Sequence, residues 1–152
     1  MEREILFKGK RKDNGKWIEG YYQKRYDFFE DVQHLIFWDK SSTVWEYAEV
    51  DPETVCQYTG LTDKNGRKIF EVYIIQFEET GEEGYEYKEA FDFTNKAKVV
   101  WNKGRFELDS FWSDNSGVME SMNDCPDEFY DMFEYYSEVI SNIFDNPELI
   151  GE

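Results

Sequence analysis

Two cysteines, three prolines and one histidine are all that 152 residues hold of those types, and each shortage closes off some chemistry. Cys56 and Cys125 stand far apart in unrelated surroundings, which gives neither a disulfide framework nor a metal-ligand spacing, so both are expected as reduced thiols. His34 lies in the apolar run VQHLIFW with no Ser or Cys nucleophile motif beside it, and reads as a sheet histidine rather than a general base. There is no Gly-rich phosphate loop, dinucleotide fingerprint or Cys/His metal set. No catalytic, cofactor-binding or metal-ligating residue is assigned, and a non-enzyme is expected. No window approaches the roughly 18 apolar residues that span a bilayer, and MEREILFKGKRKDNG lacks the apolar core of a secretion signal. A soluble protein of the cytoplasm is expected. With no Pro/Ser-rich linker to force a boundary, 1–152 reads as one domain, divisible into subdomains at about residue 60.

Positive charge is also scarce. Seventeen basic residues face 34 acidic ones, a net charge of −17. Residues 1–77 carry 12 basic and 14 acidic side chains, whereas 78–152 carry 5 and 20, so −15 of the total sits in the second part. Such a surface repels phosphate backbones and acidic membranes, which argues against direct nucleic-acid binding. The cluster Lys8, Lys10, Arg11, Lys12 and Lys16 is the local exception and reads as a solvated hairpin rim guarding a sheet edge.

Aromatic residues are abundant at 19%, and many alternate with polar ones, the period of a β-strand. Strands are expected at 4–8, 16–22, 32–38 and 43–50. Asn14-Gly15 and Asn65-Gly66 read as hairpin turns of the type that needs two residues of positive φ. Their flanks, KDNGKWIE and DKNGRKIFE, look alike, but the Asn-to-Glu spacings are five and six, so two independent hairpins are expected rather than a repeat. Asp51 before Pro52 suits a single capped helical turn, with Gly60 ending the loop behind it. A strand at 69–77, an acidic loop at 78–90 and a third hairpin around Asn102-Lys103-Gly104 follow. Cys125-Pro126-Asp127-Glu128 looks like a helix start, and Phe129, Met132, Phe133 and Tyr136 recur at helical spacing. Residues 137–144 suit helix or strand, with extended structure favoured. The expected class is mainly β, within α+β: antiparallel hairpins forming a small barrel-like or sandwich core with a short C-terminal helix.

The segments REILFKGKRKDNGKWIEGYY (3–22), VDPETVCQYTGLTDKNGRKIFE (50–71) and VISNIFDNPELI (139–150) resemble, in order, spacing and turn residues, the YopX family of phage and prophage proteins. The resemblance implies a phage-encoded accessory protein in a bacterial host and supplies no catalytic residues. One departure stands out. Glu71 is followed by Val72-Tyr73-Ile74 where the family commonly has Gly-Asp-Ile or Gly-Asp-Val, so the strand is expected to run straight through. Cys56 and Ser141 also occupy positions where glycine is common, which favours extended structure around 139–143.

Three functional readings follow. The leading one is a non-enzymatic module that binds a host or phage protein, or its own copies, through aromatic strand surfaces. The second is an acidic mimic that occupies the nucleic-acid groove of a host protein, and the third a carboxylate-dependent hydrolase using a divalent metal, although no carboxylate pair has a distinguishing context. The strand VQHLIFW is apolar on both parities. With the neighbouring Trp45, its residues Leu35, Phe37 and Trp38 form the candidate interaction surface. One of its two faces must be covered, either by the helix after Pro126 or by a second subunit, and a homo-oligomer is expected.

Overall fold

The computed structural model describes residues 3–81, 91–113 and 117–150. They divide into two compact units, 1–60 and 61–152. In the first, β1 (Phe7–Lys10), β2 (Trp17–Tyr26), β3 (Val32–Ser41) and β4 (Val44–Glu49) precede a 3₁₀ turn (Pro52–Thr54) and β5 (Cys56–Thr62). The last two residues of β5 already belong to the second unit. Pairing is antiparallel throughout, in the order β4-β3-β2-β1-β5. Because side chains alternate across a strand, the register Tyr22↔Ile36↔Ala48 puts these three on one face, and Tyr21↔Phe37↔Tyr47 puts the next three on the other.

The first of these is the inner face. Ile36 and Val50 are fully buried there, and a Cβ placed on Gly9 would lie 3.1 Å from Val50 and 3.2 Å from Ile36. Gly20 is more tightly held, since a Cβ there would stand 2.0 Å from the Phe37 carbonyl oxygen. The chain after β4 returns along β1. Arg11 bridges Val50, the Lys12 N–H donates to the Glu49 carbonyl (3.0 Å), and the Asp51 N–H donates to the Lys10 carbonyl (2.8 Å). The strand order stays open, but these bonds curl the row toward a barrel. Asp51 caps the 3₁₀ turn as expected, its Oδ1 accepting from the Glu53 N–H at 3.0 Å. Gly60 has φ +87° yet lies inside β5, so the segment taken for a loop is a strand from Cys56 onward.

The second unit holds β6 (Lys68–Phe70), β7 (Tyr73–Gly81), β8 (Phe91–Asn102), β9 (Arg105–Asp109), α1 (Gly117–Asp124), α2 (Pro126–Tyr136), β10 (Ser137–Asn142) and a 3₁₀ turn at Pro147–Ile150. Its antiparallel sheet has the order β10-β7-β8-β9. Ile74, Ile75, Phe77 and Val99 build the core from the sheet, and Phe129, Met132 and Phe133 from one stripe of α2. The mainly β class, the antiparallel hairpins and the short C-terminal helix are as the sequence led us to expect. Tyr136 departs from its stripe and is 66% exposed, because α2 ends there. Helix α1, GVMESMND, was not anticipated; at eight residues it is too short for its periodicity to stand out from neighbouring turns.

The strand expected over 69–77 is broken. β6 stops at Phe70, Glu71 and Val72 form a turn, and Val72 adopts φ +66°. The Val72 N–H donates to the Val99 carbonyl (2.7 Å) and the Val72 carbonyl accepts from the Ile143 N–H (3.0 Å). The bend a glycine would give freely is therefore imposed on valine by bonds on both sides. Glu78–Gly81 continue β7 instead of starting a loop, and the rest of that expected loop, 82–90, lies outside the described residues.

The turns also differ from expectation. Positive φ occurs at Gly15 and Gly66 but not at Asn14 or Asn65, so neither is a two-residue hairpin turn; that form occurs at Lys103-Gly104 (φ +49° and +90°). At 63–67 the Gly66 N–H donates to the Asp63 carbonyl (3.0 Å), the Asp63 N–H to the Arg67 carbonyl (2.9 Å), and Asp63 Oδ1 accepts from the Asn65 and Arg67 N–H groups (both 2.9 Å). The same pattern recurs at 27–31. There the Glu30 N–H donates to the Asp27 carbonyl, the Asp27 N–H to the Asp31 carbonyl, and Asp27 Oδ1 accepts from the Phe29 and Asp31 N–H groups, with Glu30 at φ +64°. The counterpart of the 63–67 turn is thus 27–31, not the Asn14-Gly15 turn, whose bonds span 11–16. Asp63 does more besides. It is 2% exposed, and its Oδ2 accepts from the Val139 N–H (2.9 Å), pinning the edge of β10.

Candidate interaction surface

The outward face of the first unit carries aromatic side chains that no neighbouring strand covers. The cross-strand row Tyr21, Phe37 and Tyr47 spans β2, β3 and β4, and Trp45 stands two residues before Tyr47 on the same face. Phe37 and Tyr47 rings lie 5.1 Å apart between centroids, and Tyr21 and Trp45 5.6 Å. Tyr21, Trp45 and Tyr47 each leave more than half their surface to water. The Arg25 guanidinium sits 5.5 Å over the Tyr47 ring and also bonds Gln33 through Nε. Adjacent rings of this kind stabilise one another beyond their burial.

Of the four residues proposed from sequence, the structure brings two together on this face, Phe37 and Trp45. Leu35 shares their parity but is 1% exposed, which removes it from any contact surface. Trp38 lies on the opposite face: its indole N–H donates to Glu46 Oε2 (3.2 Å), and Arg11 stacks 6.0 Å from its ring. A cleft of about 440 Å³ opens between Arg11, Trp38, Trp45, Glu46 and Tyr47. The Lys40 ammonium at 2.9 Å, aided by the Trp38 N–H, holds the Glu46 carboxyl below its usual range. Tyr21 and Tyr47 were missed, although Tyr47's period-two spacing from Trp45, and for Tyr21 the row through Phe37, would have found them once the register was known.

At the tip of the β2–β3 hairpin, the braced turn at 27–31 exposes 94% of Phe28 and 79% of Phe29, with their rings edge to face at 5.5 Å. Midway along β2, Arg3, Ile5, Phe7, Tyr21 and Tyr22 line an apolar cleft of about 350 Å³. Beside it, Tyr22 Oη and His34 Nδ1 lie 2.5 Å apart and their rings stack, so the one histidine is joined to a phenol. Burial pushes the Tyr22 phenol up from its ordinary value. Cys56 is buried and Cys125 exposed. Among the described residues no group of three or more His, Cys, Asp or Glu side chains is placed to hold a metal ion, and no helix is long and apolar enough to cross a membrane.

The family profile described as "YopX protein" matches residues 6–151, nearly the whole chain. The chain belongs to the YopX family. Among solved structures it is similar to protein EF1440 from Enterococcus faecalis, with 22% identity, a TM-score of 0.52, and coverage of 97% of this chain and 98% of that one. At that identity the likeness speaks for the fold alone. No curated protein sequence matches. The YopX profile runs through both compact units, so the aromatic face and the Asp63 pin belong to one family-length segment.

Proposed function

We propose that this YopX-family chain is a non-enzymatic accessory module, one domain over 1–152, that binds a protein partner through the aromatic face of β2, β3 and β4. The observation that carries the reading is the continuous row of Tyr21, Phe37 and Tyr47 with Trp45 beside it, three of the four more than half exposed. Interface centres are enriched in Tyr, Trp and Phe, and a rigid aromatic anchor loses little conformational entropy on binding. A phage or prophage origin and a bacterial cytoplasm as the place of action belong to the same reading.

The test is capture of partners from infected or lysogenic cells with wild-type protein and with a Trp45→Lys/Tyr47→Lys variant, both checked for cooperative unfolding. Loss of a captured protein in the folded variant supports the aromatic face; identical capture sinks it. A salt series during capture distinguishes the acidic-mimic alternative, whose partner should release steeply as ionic strength rises, whereas an aromatic contact should hold.

A further inference from the structure

We infer that the Phe28-Phe29 tip docks into the Arg3–Tyr22 cleft of a second copy of this chain. The inference rests on the reading of the chain as a binding module and commits the self-assembling form of it to particular residues. Two adjacent phenylalanines with 94% and 79% of their surfaces in water gain nothing for the unit that carries them. They are nevertheless held in one conformation. Asp27 Oδ1 accepts from the Phe29 N–H (2.8 Å) and the Asp31 N–H (2.9 Å), and Glu30 sits at φ +64°, a conformation that costs energy for a residue with a Cβ. A turn of the same bonding at 63–67 carries Lys64 and Asn65 in the places of Phe28 and Phe29, so the turn itself does not call for phenylalanine. A pre-organised apolar knob is what an anchor residue requires, because its ordering cost is met before binding.

The cleft is complementary in polarity and in charge. Its walls are Ile5, Phe7, Tyr21 and Tyr22, apolar or aromatic, and Ile5 and Tyr21 are themselves exposed. Among the described residues the one cation that lines it is Arg3, whose guanidinium has no hydrogen bond or ion pair with any of them. The knob is flanked by Glu30 and Asp31, whose carboxylates likewise have no partner among the described residues. Phenyl rings entering the cleft would place those carboxylates at its rim, within reach of Arg3. If two copies exchange knob and cleft reciprocally, the assembly closes as a two-fold dimer.

The experiment is light scattering and sedimentation on the full chain from about 1 to 100 µM, where a contact of this modest size would fall. The wild type is expected to pass from monomer to dimer mass in that range. Phe28→Ser/Phe29→Ser should stay monomeric with an unchanged unfolding midpoint, since both side chains are solvent-exposed. R3E should weaken the dimer at least tenfold, and adding E30R and D31R to R3E should restore most of it by reversing both sides of the pair. A wild-type monomer throughout, or a dimer that survives Phe28→Ser/Phe29→Ser, overturns the inference. Failure here leaves the aromatic-face reading standing if Trp45→Lys/Tyr47→Lys still abolishes partner capture, so the two can fail separately.

Discussion

Valine 72 offers the sharpest test of the fold, because a β-branched residue at φ +66° is held by bonds on both sides of its peptide units. The left-handed region costs an L-residue about 1–2 kcal/mol, with β-branched side chains at the unfavourable end. Val72→Ala would remove the two methyl groups and relieve the β-branched part of that strain, leaving the part that any Cβ incurs. Val72 is only half-buried, so the lost packing should cost about 0.5–1.5 kcal/mol, and alanine should be the least stable of the three. Val72→Gly loses the same packing and adds unfolded-chain entropy, but it releases the strain, which places it near the wild type. In an ordinary strand glycine is about 0.5–1 kcal/mol worse than alanine. At position 72 the order should invert, with glycine ahead by roughly 1 kcal/mol. Urea unfolding of the three proteins with a common slope measures this directly. If alanine equals or exceeds glycine, residue 72 is not held at positive φ, and the break between β6 and β7 is wrong.

Three further outcomes are expected. Asp63→Ala leaves the Asn65, Arg67 and Val139 N–H groups without their acceptor, the last of them on the edge strand that the carboxylate pins, and should cost about 2–4 kcal/mol in chemical unfolding; a loss within about 0.5 kcal/mol would show that water replaces the carboxylate. Gly20→Ala, favourable in most strands, should instead destabilise by about 3 kcal/mol or prevent folding, because the new Cβ meets the Phe37 carbonyl at 2.0 Å; a stable variant would mean that β2 and β3 are not so close. The Tyr22 phenol is raised by burial, so its contribution is fully present below its unfolded value of about 10 and is lost as pH rises through the higher folded value. Spectroscopic titration of Tyr22→Phe should lose one tyrosine that titrates above the ordinary value, and the variant should lose less stability above pH about 10; an unchanged profile would refute the assignment.

What the sequence determined by itself was local and periodic. Alternation in KWIEGYY and VQHLIFW requires only neighbours two residues apart, and it placed β2 and β3. Asp51-Pro52 specified its capped turn, and the spacing of Phe129, Met132 and Phe133 specified the buried side of α2, because those signals lie within one turn of chain. The three blocks shared with the YopX family were legible for the same reason. What only the tertiary structure decided depended on partners far along the chain. Leu35 and Phe37 share a parity, yet one is buried and the other lies in an exposed row with Tyr21 and Tyr47, a difference of packing that alternation cannot encode. The kinship between the 27–31 and 63–67 turns is invisible in DFFED and DKNGR because it resides in backbone bonds to an aspartate, which tolerate almost any residue between. Val72 bends although nothing local asks it to, since Val99 and Ile143 hold its N–H and carbonyl from 27 and 71 residues away. A left-handed valine is unfavourable on its own; two long-range hydrogen bonds and the sheet they join make it the lower-energy choice.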